Sequence, residues 1–359
     1  MSEVKFKLAA GTNVGLFRKN NEDNFVVNPD LSTFQWMMPM DENYIELGPY
    51  GTLLVVADGM GGMNAGEVAS AIAVETIQQL FTPEALAPII GDSKSVQNFM
   101  QEAVKAADLN ILNKSKEDDS TQGMGTTIVM AWILGRRAYV CWCGDSRCYV
   151  YNQKHGLLRL SKDHSYVQEL IDHGELEPQY ANDHPLSNII TRCLGNEEKR
   201  AEPETRIYEL YNGDIIMLCS DGLSSLCNDE IIAEVIHEFK ESPQECRNEL
   251  ISAALSKGGH DNVTVAVCSV CIEGEENDED SPDSSFNGTD GQTANEASGS
   301  DTKEVLSDTL RNTPVRRNHH TVLWLSLLFL IAIIAILSYL YFTDNPELTN
   351  IIQSITSKK

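Results

Sequence analysis

Four aspartates stand at the ends of apolar runs. "VVADGMGG" ends one run with Asp58 inside a glycine-rich turn. "GDIIMLCSDGL" places Asp221 after a second run, again followed by glycine. "GGHDNVTVAV" sets Asp261 and Asn262 just ahead of a third, and "CWCGDSRCYV" puts Asp145 at a break between two. A single Asp-Gly pair is ordinary hairpin-turn chemistry. Four carboxylates gathered at strand ends would repel one another and need a cation to be compatible with folding. Oxygen ligands without accompanying His or Cys suit Mg²⁺ or Mn²⁺, not zinc or copper. Two such ions can share a carboxylate and bridge a water, lowering its pKa until hydroxide exists near neutrality. The missing glycine side chains allow a backbone carbonyl, such as that of Gly59, to approach an ion or its water shell. Upstream, "LFRKNNEDNF" supplies Arg18 followed by Glu22 and Asp23. Arg18 offers a planar fork of donors suited to phosphate oxygens. Taken alone, that segment reads as a polar surface loop.

The elements that must position these residues follow from periodicity. Strands are expected over 52–57, 126–134, 138–142, 147–151, 215–219 and 263–270, many rich in Val, Ile and Tyr. Helices are expected over 66–81, 96–113, 166–173, 230–239 and 243–256. The meander over 126–151, with short turns such as "LGRR", favours antiparallel pairing. The fold class is therefore α+β and layered, not a doubly wound parallel sheet.

The 359 residues carry a formal charge of −26, which disfavours nucleic acid as a partner. Much of the excess lies in 273–308, where twelve acids face Lys303 alone. Residues 273–321 are nearly devoid of apolar side chains and read as a disordered acidic linker, because they cannot bury enough surface to offset ordering entropy. The nine cysteines are scattered, and Cys141, Cys143 and Cys148 lack zinc-knuckle spacing; they read as buried reduced thiols. Residues 322–342, "VLWLSLLFLIAIIAILSYLYF", carry no charge. At 1.5 Å per residue they span about 31 Å, the thickness of a bilayer's hydrocarbon core, so a transmembrane helix is expected there. Trp324, Tyr339 and Tyr341 would suit the interfaces. "MSEVKFKLAAG" lacks a signal peptide's apolar core, and Arg316 and Arg317 precede the span. Both place the large N-terminal domain in the cytosol and residues 343–359 outside as a short tail.

The ordered set "RKNNEDNF", "VVADGMGG", "GMGTTIVMAWI", "CGDSRCYVY", "LSKDHSYV", "GDIIMLCSDGLSS" and "GGHDNVTVAV" resembles the metal-dependent protein phosphatases (PPM type, or protein phosphatase 2C) over nearly all of residues 5–272. The resemblance implies a phosphatase domain over 1–272: a four-layer αββα sandwich of two antiparallel sheets flanked by helix pairs. It implies hydrolysis of phosphoserine and phosphothreonine by a hydroxide bridging two Mn²⁺ or Mg²⁺ ions. Matched motif by motif, Asp58 bridges the ions and Asp221 and Asp261 complete the first ion's shell. The Gly59 carbonyl binds the second, with Glu22 reaching it through water. Arg18 clamps the phosphate, and Asp145 helps Asp221 hold a third, weaker ion. Residues 166–194 would be a mobile flap. Met60 stands where many eukaryotic members have a histidine, as is common in bacterial relatives. The implied partners are phosphorylated Ser/Thr proteins, including membrane kinases. A phosphoprotein-binding pseudophosphatase of the same fold is the alternative; intact Asp58, Asp221, Asp261 and Arg18 favour the enzyme. Residues 28–50 look longer than the usual connection, and their Trp36, Met37 and Met38 are expected to cover an edge or bind a partner.

Overall fold

The computed structural model describes residues 4–33, 35–36, 44–61, 65–181 and 184–274. All lie in Met1–Asp283, one of two units into which the chain divides; the other is Ser284–Lys359. Nearly all of the expected linker, the expected span and the tail fall outside the described residues. Among the described residues no helix is long and apolar enough to cross a membrane.

The first strands are β1 (Val4–Asn13), β2 (Asp23–Asn28), β3 (Ile45–Glu46) and β4 (Thr52–Met60). Helices α1 (Ala65–Leu80), α2 (Pro83–Leu86) and α3 (Ser93–Glu117) follow. Then come β5 (Gly125–Thr126), β6 (Ile128–Leu134), β7 (Arg137–Cys143), β8 (Arg147–Asn152), β9 (Gly156–Arg159) and α4 (Tyr166–Asp172). The chain continues through β10 (Glu204–Glu209), β11 (Ile215–Cys219), α5 (Asp221–Ser224), α6 (Asp229–Glu238), α7 (Pro243–Ser256) and β12 (Val263–Ile272). One sheet runs β3-β1-β12-β11-β8-β9; the other runs β10-β7-β6-β4-β2, with β5 paired to β4. Every pairing is antiparallel.

Strand alternation builds three cores from two sheets. Leu53, Val55 and Ala57 of β4 and Met130 and Trp132 of β6 face α1 and α3, where Ala69, Ile77, Met100 and Ile111 meet them. Leu54 and Val56 point the other way, against Phe6, Val140, Leu218 and Ala266 between the sheets. Val263, Val265 and Val267 of β12 pack outward onto Ile232 and Ile236 of α6 and Leu250 of α7. A strand covered on both faces needs no polar side, which explains the unbroken apolar runs. Helices α3 and α6 start on side-chain caps: Asp92 accepts from Ser95 N at 2.8 Å, and Asn228 from Ile231 N at 3.1 Å. Four layers in the order helix, sheet, sheet, helix result.

The long connection over 28–50 covers an edge. Ile45 and Glu46 pair with Phe6 and Lys5 as β3, and Trp36 packs half-buried against the helix-facing core. Met37 and Met38 lie outside the described residues.

Candidate active site

Strand pairing brings the acids together. β1 pairs with β12 over its whole length, from Val4↔Ile272 to Asn13↔Val263, so the Arg18 loop and the Asp261 loop leave the sheet side by side. An Arg18 guanidinium nitrogen then reaches Asp261 Oδ2 at 2.7 Å. β2 pairs with β4 in a register that sets Asp23 opposite Asp58. Gly59 N donates to the Glu22 carbonyl at 3.1 Å, and Ser70 Oγ of α1 donates to the same oxygen at 2.6 Å. Any side chain on Gly59 would strike this junction, since a Cβ there would lie 2.2 Å from the Gly66 carbonyl oxygen and 2.5 Å from that of Glu22. The glycine beside Asp58 is thus needed for close packing of backbone as well as for an open approach.

Asp221 opens α5, directly after β11. Its neighbour Gly222 has the same restriction, a Cβ meeting the Asn262 carbonyl oxygen at 2.0 Å. Asn262 fixes the facing loop: Oδ1 accepts from Glu22 N at 2.8 Å, while Nδ2 donates to the carbonyls of Val14 and Asn20. Asp145 sits buried between β7 and β8, and its Oδ1 has no hydrogen-bond partner among the described residues. Behind it, the guanidinium of Arg147 is pinned on the Asp163 carboxylate by contacts of 2.7–3.1 Å.

The electrostatics are those of crowded acids. Burial, then Asp23, Asp221 and Asp145, push Asp58 well above the usual carboxylate range. Burial and then Asp261 raise Asp221; burial and then Asp221 raise Asp145 well above its ordinary range. Glu22 is raised by burial against the pull of Arg18. Asp23 is pushed up to about 7 by burial, although Ser220 Oγ at 2.7 Å and Thr264 Oγ1 at 2.6 Å both donate to it.

Arg18, Glu22, Asp58, Gly59, Asp145, Asp221 and Asp261, the residues expected from sequence, therefore meet at one end of the two sheets. Asp23 is a buried acid of this cluster not singled out from sequence: it ties β2 to Ser220 and Thr264 behind Asp58. Its signal lay in its place at the mouth of a strand opposite Asp58, which only the register reveals.

The donor set fits divalent ions. All the side-chain donors are hard oxygens, four buried or half-buried carboxyls are held above their ordinary range, and one buried carboxyl oxygen lacks a partner. Among the described residues no three of these groups close a metal shell by themselves; Asp261 is engaged by Arg18 instead.

Residues 166–194 form a flap that is tied at both ends. Tyr166 N donates to the Ile189 carbonyl and Thr191 N to that of His164, each at 2.8 Å, and Leu194 exchanges two bonds with Thr126. Asn182 and Asp183 fall outside the described residues.

The profile of the family described as "Protein phosphatase 2C" matches residues 41–257. The chain belongs to that family. It is 35% identical over 213 residues to the serine/threonine phosphatase stp of Listeria monocytogenes serotype 4b, covering 59% of this chain and 82% of that one. It is 34% identical over 266 residues to the serine/threonine protein phosphatase PstP of Mycobacterium tuberculosis, covering 74% of this chain but only 45% of that longer protein. A solved structure of the PstP catalytic domain in complex with two manganese ions aligns with a TM-score of 0.59 and 31% identity, over 75% of this chain and 99% of that one.

Proposed function

We propose that this chain is a membrane-tethered serine/threonine protein phosphatase, working at the cytosolic face with two Mn²⁺ or Mg²⁺ ions. The observation that carries the catalytic reading is the gathering of Asp58, Asp145 and Asp221 at the strand ends, with Arg18 and Asp261 at their edge. Asp58, Asp221, Asp261, the Gly59 carbonyl and Glu22 would hold the two ions, and Asp145 with Asp221 a third. When bound, such ions supply charge neutralisation of the phosphate and an activated water for attack on phosphorus.

The remaining work falls to the chain's own groups. Arg18, half-exposed and long, exchanges Asp261 for two phosphate oxygens, which its planar fork matches. Asp23 and Asn262 hold the strand ends in register so that Asp58, Asp221 and the Arg18 loop keep their places. Met60 has no proton to give, so the leaving alcohol must take its proton from a bound water or another group, not from that position.

The tether rests on residues 322–342, long enough to span a bilayer, and the acidic stretch 273–321 ahead of them. Arg316 and Arg317 just before the span favour a cytosolic catalytic domain, with 343–359 outside. Membrane-bound phosphoproteins, kinases among them, are then substrates within reach. The test is inorganic phosphate release by the full chain from matched phosphoserine, phosphothreonine and phosphotyrosine peptides. The first two should be hydrolysed and the third spared; no release from any of them would return the chain to a phosphoprotein-binding role.

A further inference from the structure

Beside the carboxylate site lies a cavity of about 510 Å³. Its inner wall includes Met60, which follows Gly59, and Gly125, which pairs with Met60 across β4 and β5. The flap contributes Ile190 and Cys193, both half-buried, while Glu197 and Glu198 line the same cavity from exposed positions at its mouth. The volume is that of a ligand site. Met60, Met124, Ile190 and Cys193, beside the polar Gln122 and Asn188 and under a doubly acidic mouth, suit a side chain with a long apolar stem and a cationic end.

The acidic mouth is built on a fixed turn. Asn196 Oδ1 accepts from Glu198 N at 2.9 Å and from Lys199 N at 3.0 Å. Gly195 N and Arg200 Nε both donate to buried Asp108, at 2.8 and 2.6 Å. Arg200 is thereby engaged away from the glutamates, and Lys199 does not line the cavity. Because the wall is continuous with Gly59 through Met60, whatever enters must sit a short stretch of chain from the phosphorylated residue.

We propose that this cavity seats a Lys or Arg side chain flanking the phosphoserine or phosphothreonine, and that Glu197 and Glu198 select it by charge. The proposal rests on the phosphatase reading above. Exposed ion pairs are individually weak, but two carboxylates converging on one cation should favour a basic flank by about 5-fold in kcat/KM at low salt.

The experiment measures kcat/KM of the full chain on short phosphothreonine peptides carrying Arg, Leu or Glu at each of the flanking positions, together with turnover of para-nitrophenyl phosphate, which has no flank. At one position the Arg peptide should outrun the Glu peptide by about 5-fold. The preference should vanish in E197Q/E198Q and invert in E197K/E198K, with para-nitrophenyl phosphate turnover unchanged. Equal rates for all peptides with the parent would overturn the proposal. So would a preference that survives charge reversal, or variants that slow both substrates alike. If the parent hydrolyses neither substrate class, the phosphatase reading fails and this proposal with it.

Discussion

Asp58 and Asp221 crowd one another, with Asp23 behind them and Asp145 alongside, and burial raises all four. Replacing Asp58 by Asn removes one acid from this crowd while keeping its shape. The Asp58→Asn variant should therefore lose at least ~10³-fold in kcat yet unfold at the parent's temperature or above when no metal is present. Near-parental activity would show that Asp58 is not the shared ligand. Arg18 calls for a different outcome. Its pair with Asp261 is about half-exposed, so its loss costs the fold about 1 kcal/mol at most. Arg18→Ala should raise KM by about 10-fold or more and leave metal affinity almost unchanged; unaltered kinetics on phosphopeptides would return Arg18 to a surface-loop role.

Strands β4, β11 and β12 were legible because each is covered on both faces and so reads as an unbroken apolar run; β11 and the pairing of β6 with β7 fall where periodicity puts them. β10, "ETRIYE", was not. It is an edge strand bonded only to β7, and its exposed positions carry Glu and Arg. β1, "VKFKLAAGTN", hides its partnership in lysines and alanines, and only its pairing with β12 explains its length. The acids at strand ends could be found from sequence because each follows or precedes a strand. Asp23 looked like loop because its meaning depends on register. The far end of β11 is held by buried Asp214, whose oxygens accept from Asn152 Nδ2 at 2.6 Å and Tyr211 N at 2.8 Å. Burial pushes its carboxyl up to about 6. The folded chain holds that proton more tightly than the unfolded one, so the stabilisation is full below about pH 4 and is lost as pH rises through 6. Chemical denaturation at pH 4 and pH 7 should show the gap between parent and Asp214→Asn narrowing by about 2–3 kcal/mol as pH rises. A gap independent of pH would mean that Asp214 titrates normally.

At the scale of the whole chain, the proposed arrangement is a catalytic domain on a leash. Residues 273–321, as a flexible coil at roughly 5–6 Å × √n, would reach about 40 Å from the membrane on average. Under the proposed tethering, that distance would keep the site among membrane-bound phosphoproteins and raise their effective concentration. A reporter active only outside the cytoplasm, fused after Lys359, should be on; a silent reporter, with external protease cutting the acidic stretch, would place the phosphatase on the other side. The central claim is that the gathered carboxylates hydrolyse phosphate esters only when divalent ions join them. The direct measurement is phosphate release from a phosphothreonine peptide by the full chain, with Mn²⁺ and then with excess chelator. Release that rises with Mn²⁺, stops with chelator and returns when the ion is restored is the predicted result. Undiminished turnover in excess chelator would contradict it.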